Sequence, residues 1–277
     1  MEELDFTRPA AKSEIYDPIV ALGFFKRAGR PETAEQGATI FAEGEKGGKM
    51  YYILKGEVAL VRDGRPVDVS KTGEIIGEMA LVSDQPRNAT AVARTPCNLL
   101  AVDAKQLRET LRTAPEFALM LLNIMISRLR LTVARLSVTR ALPQEERLSE
   151  SAVFDRKTLA ELVREFPDHP PQHHPLNKVL MKEGDAGLFM YVVVEGRVAI
   201  SIQSRIVERL GPGGVFGEMA LVDQSPRAAS AVAETDCALL AINRNDFLGL
   251  VKTKPAFAVS LLKAVAERMH RMTARRA

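Results

Sequence analysis

Read from residue 38 onward, the chain opens with short apolar runs punctuated by glycine. "ATIFAEG" (38–44), "KMYYILKG" (49–56) and "EVALVRDG" (57–64) are rich in β-branched and aromatic residues, and the last closes on an Asp-Gly turn signal before "RPVDVS". "ATAVART" (89–95) and "CNLLAV" (97–102) supply two more runs of strand length. Strands this short, separated by turns, predict a small sandwich or barrel. The period then lengthens. Asp103 and Asn243 are placed to cap helices over "AKQLRETLR" and "RNDFLGLVK". A longer helix is predicted from about Thr113, with Thr113 and Glu116 as a capping box and Pro115 in its first turn.

That longer helix carries a seam. Leu119, Leu122, Ile126, Leu129, Val133 and Leu136 recur at spacings of 3, 4, 3, 4 and 3, the heptad pattern of a helix that packs along another helix. Leu121, Met125 and Leu131 lie beside it and are expected to face the helix's own barrel. Two apolar faces imply two partners, so the seam predicts self-association, a homodimer through the 119–136 helix. The corresponding helix near the C-terminus keeps only Leu262, Ala266 and Met269 of this pattern.

The whole pattern occurs twice. "IIGEMALVSDQPRNATAVA" (75–93) and "VFGEMALVDQSPRAASAVA" (215–233) are identical at twelve of nineteen positions, at a fixed offset of 140. "EGEKGGKMYYILKGEVAL" (43–60) aligns without gaps on "EGDAGLFMYVVVEGRVAI" (183–200), and Arg128 matches Arg268. A period of 140 is domain-sized. Two homologous domains are predicted, 1–140 and 141–277, meeting near "RALPQEERLSES".

Composition changes this picture little. With 277 residues and 46% apolar content, the chain can bury one large core or two ordinary ones. A net charge of +3 is too mild to demand nucleic acid or a membrane surface. The acidic, polar N-terminus does not read as a secretory signal, and no uninterrupted apolar run reaches the ~18–20 residues of a span. Cys97 and Cys237, again 140 apart, read as equivalent core positions and not as disulfide partners. A cytoplasmic location is expected.

The duplicated segment carries the chemistry. Gly77 and Gly217 permit close backbone approach and are followed at once by Glu78 and Glu218. "EMALV" is a short helix former whose first amides are unpaired donors. Arg87 and Arg227, each nine residues after the glutamate, offer a guanidinium to the same anion. A carboxylate repels a phosphate, so the glutamate requires a donor such as a sugar hydroxyl. Glu for a ribose and Arg for a phosphate describe a compact nucleotide in one pocket. A surface Glu–Arg pair would explain one occurrence, at about 0–1 kcal/mol; two within near-identical frames argue for a ligand.

"GEMALVSDQPRNATAV" and "GEMALVDQSPRAASAV" resemble the phosphate-binding cassette of cyclic nucleotide-binding domains, the family of the catabolite activator protein, the regulatory subunits of cyclic-AMP-dependent kinase and cyclic-nucleotide-gated channels. The resemblance covers nearly the whole chain. It implies a mainly β fold with helices: two tandem jelly-roll β-barrels, each flanked by helices, with a long helix after the first. It implies ligand contacts at Gly77, Glu78, Met79, Ala80, Arg87, Asn88 and Ala89, and at Gly217, Glu218, Met219, Ala220, Arg227, Ala228 and Ala229. The glutamates would bind the ribose 2′-hydroxyl and the arginines the cyclic phosphate, with amides near Ala80 and Ala220. Leu81 and Leu221 would couple phosphate binding to helix movement. Family domains that prefer cyclic GMP place Thr or Ser after the cassette arginine; here Asn88 and Ala228 stand there, and Thr132 resembles an adenine contact of the catabolite activator protein. Cyclic AMP is therefore the expected ligand at both sites, with cyclic GMP as the alternative.

Other chemistry is thin. His169, His173 and His174 are expected in a Pro-rich loop without counterpart in the first repeat, so no metal site is expected, nor any cofactor. No nucleophile–base arrangement or P-loop motif appears, so an enzyme is not expected. The two function classes are a stand-alone receptor acting on an unknown protein effector and, as the alternative, a transcription-regulator-like or kinase-regulatory-subunit-like protein. DNA binding is not expected, because no helix-turn-helix segment follows either long helix.

Overall fold

The computed structural model describes residues 18–139 and 150–273; the expected domain seam lies outside them. The first unit runs α1 (Pro18–Ala28), β1 (Arg30–Ala34), β2 (Thr39–Phe41), β3 (Lys49–Lys55), β4 (Glu57–Arg62), β5 (Arg65–Lys71), β6 (Ile75–Ile76), α2 (Glu78–Ser83), β7 (Thr90–Ala93), β8 (Cys97–Asp103), α3 (Ala104–Leu111) and α4 (Pro115–Val138). The second runs β9 (Glu150–Ser151), α5 (Arg156–Glu165), β10 (Gln172–His174), β11 (Val179–Met181), β12 (Phe189–Glu195), β13 (Val198–Ile202), β14 (Arg205–Leu210), β15 (Val215–Phe216), α6 (Glu218–Asp223), β16 (Ser230–Ala233), β17 (Cys237–Asn243), α7 (Arg244–Thr253) and α8 (Pro255–Thr273).

Each unit is a two-sheet jelly roll, as expected. The first pairs sheets β1-β8-β3-β6 and β2-β7-β4-β5; the second pairs β10-β17-β12-β15 with β11-β16-β13-β14-β9. All pairings are antiparallel except β9 on β14. The two-residue period of β3 sorts its side chains between two cores. Tyr51 and Ile53 point into the barrel, while Met50 and Tyr52 join the core under the helices. Cys97 and Cys237 are buried and free, at matching positions that open β8 and β17.

The helix caps are partly as read. Asp103 accepts from the Gln106 amide in a full capping box, and Asn243 accepts from the Asp246 amide. The box expected at Thr113 does not form: Ala114 caps α4, and the Thr113 hydroxyl donates to the Thr110 carbonyl. His173 and His174 lie in β10, paired with β17, and not in a loop.

The seam of α4 is covered by α8 of the same chain. Leu122, Ile126 and Leu129 are at most 3% exposed, in one core with Leu261, Leu262, Val265, Ala266 and Met269. At these three residues the seam's partner is therefore α8 of the same chain, where a second copy was expected. By length and apolarity α4 would suffice to cross a bilayer; here its apolar residues are spent on α8, α1 and the second unit's α6 and α7. The arrangement is reciprocal: α4 packs on α6, and α8 packs on α2. The two halves thus meet as the subunits of an isologous dimer would. Of the residues beside the seam, Leu121 and Met125 are buried, but Leu131 is half exposed.

Candidate functional site

The two cassettes share one backbone design. A two-residue strand, β6 or β15, leads into a glycine at φ +79°, Gly77 or Gly217, after which α2 or α6 starts on the glutamate. A left-handed residue is needed to turn the chain from strand to helix so abruptly, and glycine adopts it without a Cβ penalty. A Cβ at Gly77 would lie 2.7 Å from Arg87 Nη1, so the glycine also makes room for the arginine.

Arg87 is buried beneath this turn. Its Nη1 donates to the Gly77 carbonyl at 2.7 Å and its Nη2 to the Lys49 carbonyl at 2.6 Å. The guanidinium lies over the Phe41 ring, 4.1 Å from its centroid. Of five guanidinium N–H groups, two serve these carbonyls, and buried Nε has no partner among the described residues. Burial pulls the Arg87 pKa down, opposed by Tyr51, Glu45 and Glu78. Arg227 repeats the geometry, donating to the Gly217 and Phe189 carbonyls at 2.8 and 2.7 Å, and burial lowers its pKa too. Each is a fixed, partly dehydrated cation that an anion would stabilise.

Glu78 and Glu218 are fully enclosed. Each pairs with an arginine of the long helix that follows its barrel: Glu78 Oε1 accepts from Arg128, and Glu218 Oε1 from Arg268. The same arginines donate to the Ile75 and Val215 carbonyls. Burial depresses the Arg128 pKa, but the Glu78 charge and hydrogen bond more than offset this and raise it. Burial works to lower the Arg268 pKa as well, but Glu208 together with Glu218 outweighs it and raises it. These long-helix arginines were legible only as a pair at the common offset; the ion pairs give them their role. Glu78 Oε2 is buried without a partner among the described residues.

A pocket opens beside the first cassette. Gly77, Glu78, Met79, Ala80, Arg87, Asn88 and Ala89 line it, and α4 contributes Thr132 with Arg128, Leu131 and Arg135. All eight residues expected at the first site therefore meet in one cavity. The other nine lining residues were not expected at the site; among them are Asp68 of β5 and Met269 of α8, the latter from the second unit. In the second cassette, Gly217, Glu218, Ala220 and Arg227 repeat the first, with Ala229 buried and Met219 and Ala228 half-buried.

Comparison with known proteins decides the family. The family model described as "Cyclic nucleotide-binding domain" matches twice, at residues 31–114 and 171–254. The chain belongs to the cyclic nucleotide-binding domain family. Among relatives of these two domains is the cAMP-dependent protein kinase regulatory subunit of Yarrowia lipolytica, 28% identical over 220 residues, 78% of this chain and 52% of that protein. The cyclic AMP receptor protein of Thermus thermophilus is 40% identical over 101 residues, covering 35% of this chain and 47% of that one. The chain spans about half the length of the first curated relatives it matches. Among solved structures, the regulatory domain of Toxoplasma gondii PKA with cAMP is 22% identical, covers 86% of this chain and 87% of its own, and has a TM-score of 0.32. The Thermus thermophilus catabolite activator protein is 33% identical, covers 43% of this chain and 59% of its own, and has a TM-score of 0.37.

Proposed function

We propose that the chain is a cytoplasmic cyclic nucleotide receptor, with cyclic AMP preferred over cyclic GMP. The domains are 1–140 and 141–277, with one cassette in each. The observation that carries this reading is the pair of unpartnered buried atoms on the first pocket's lining residues, an acceptor on Glu78 and a donor on Arg87. A buried polar atom left unpaired costs about 1–3 kcal/mol. A ligand offering a hydroxyl to Glu78 and an anion to Arg87 removes both costs, and a cyclic nucleotide carries these groups on one rigid frame. Gly77 and the amides near Ala80 sit beside the phosphate; Asn88, Ala89 and Thr132 face the base, and Met79 borders the pocket. Gly217, Glu218, Met219, Ala220, Arg227, Ala228 and Ala229 have the same roles in the second cassette.

The receptor is not itself catalytic and passes its signal to a protein effector through movement of α4, which borders the first pocket and packs on the second unit. Calorimetric titration of the full chain with cyclic AMP and with cyclic GMP tests the reading. Saturable heat with the tighter constant for cyclic AMP supports it; no binding of either nucleotide refutes it.

A further inference from the structure

The two cassettes differ in what stands over them. Leu60, Arg62 and Val67 line the open first pocket and are only half-buried. Their counterparts at the 140-residue offset, Ile200, Ile202 and Val207, are all buried in the second barrel's apolar cluster. Besides its own Leu180, Met181 and Tyr191, that cluster is packed by Val133 and Leu136 of α4 and Met272 of α8, whereas among the described residues the first barrel's cluster is packed by its own Ala34, Ile40 and Leu60. Met272 is the counterpart of Thr132, so an apolar side chain covers the place where the first site offers a hydroxyl.

Polar contacts hold this cover in place. Arg130 of α4 makes a two-pronged ion pair with Asp223 at the end of α6, its Nη2 3.1 Å from Oδ1. The counterpart positions are His270 and Ser83, and Ser83 instead donates to the Met79 carbonyl. Glu208 of β14 takes Arg268 at 2.8 Å, Arg271 and the Ser151 hydroxyl. Its counterpart Asp68 is one methylene shorter and forms no such clamp: Arg128 bonds Glu78 and the Ile75 carbonyl. The second site therefore carries an apolar cover and two ionic fastenings that the first lacks.

We propose that the second cassette is latched shut by α4 and α8, and that the two sites load in order, the first before the second. This rests on reading both cassettes as cyclic nucleotide sites. The link is α4 itself. Its Arg128, Leu131, Thr132 and Arg135 border the first pocket, while Arg130, Val133 and Leu136, on the same turns, hold the second closed. A nucleotide that draws α4 toward the first cassette strains the contacts that cover the second. Coupling of this kind is typically worth about 5–150-fold in affinity and acts in both directions.

The test is calorimetric titration of the full chain with cyclic AMP, for wild type and for the double variant Arg130→Ala, Leu136→Ala. Wild type should bind one nucleotide tightly and a second at least ~10-fold more weakly. Arg227→Ala should remove the weak step alone, assigning it to the second cassette. The double variant should tighten that step several-fold while leaving the first nearly unchanged. Two equal steps in wild type, or a weak step that the double variant does not move, overturns the latch. No binding at all by wild type instead refutes the nucleotide reading on which it rests. Should the double variant fail to fold, hydrogen exchange in Arg227→Ala decides: cyclic AMP in the first site should speed exchange of the α6 amides, and unchanged exchange overturns the proposal.

Discussion

Gly77→Ala isolates the physical design of the cassette. Gly77 sits at φ +79°, and a Cβ there would stand 2.7 Å from Arg87 Nη1 and 3.2 Å from both the Lys49 carbonyl oxygen and the Phe41 ring. Forcing an L side chain into the left-handed region costs about 1–2 kcal/mol. Pushing the guanidinium off the Gly77 carbonyl, now 2.7 Å away, removes a charged hydrogen bond worth ~1.5–3 kcal/mol. Together the loss is roughly 2.5–5 kcal/mol, or roughly 5–20 °C in Tm at about 2–4 °C per kcal/mol. Gly37→Ala is the control, because Gly37 is also left-handed (φ +85°) but its Cβ would meet nothing within 4 Å. It should lose only the backbone part, ~1–2 kcal/mol. Thermal unfolding of both variants, with cyclic AMP titrated into each, reads the difference. If Gly77→Ala destabilises no more than Gly37→Ala and binds as wild type does, the close fit between glycine and arginine is not what organises the site.

Two further outcomes test the packing and the charge network. Leu129→Ala opens the α4–α8 seam at a residue 3% exposed and should cost about 2–5 kcal/mol in chemical denaturation; a loss below about 1 kcal/mol would show that the seam is not a filled core. Burial works to raise the Glu208 pKa, but Arg268, Arg271 and the Ser151 hydroxyl together hold it below the usual carboxylate range. Its stabilising contribution is therefore complete above that range and disappears as pH falls through the depressed folded-state value. Glu208→Gln should flatten the fall in urea midpoint between roughly pH 5 and pH 3, and an unaltered slope would contradict the ion pairs.

Much of this was legible in the sequence because it was written twice. The shared offset of 140 exposed both barrels, both cassettes and the Arg128–Arg268 pair, and the period of α4 exposed an interface. What the period does not encode is the partner. A heptad seam fits a second copy or the chain's own α8 equally well, and only the three-dimensional return of the second unit selects α8. Leu131 does face its own barrel, but across the open pocket it lines with Leu60 and Val67, which is why it stays half exposed. The Thr113 box failed because Ala114 took the cap position one residue later. The Asp68-to-Glu208 exchange, one methylene in sequence, becomes a clamp only once Arg268 and Arg271 lie over it.

The central claim is that the buried arginine of the first cassette holds the phosphate of a cyclic nucleotide. The most direct measurement compares cyclic AMP binding to the wild-type chain and to Arg87→Ala, with an unfolding curve for each to establish that both are folded. Loss of a charge-assisted contact to a buried phosphate should weaken binding at the first cassette by about 30-fold to several-thousand-fold, so that the tight step disappears and the second cassette's weaker step remains. A folded Arg87→Ala that binds cyclic AMP at the first step as tightly as wild type would contradict the account.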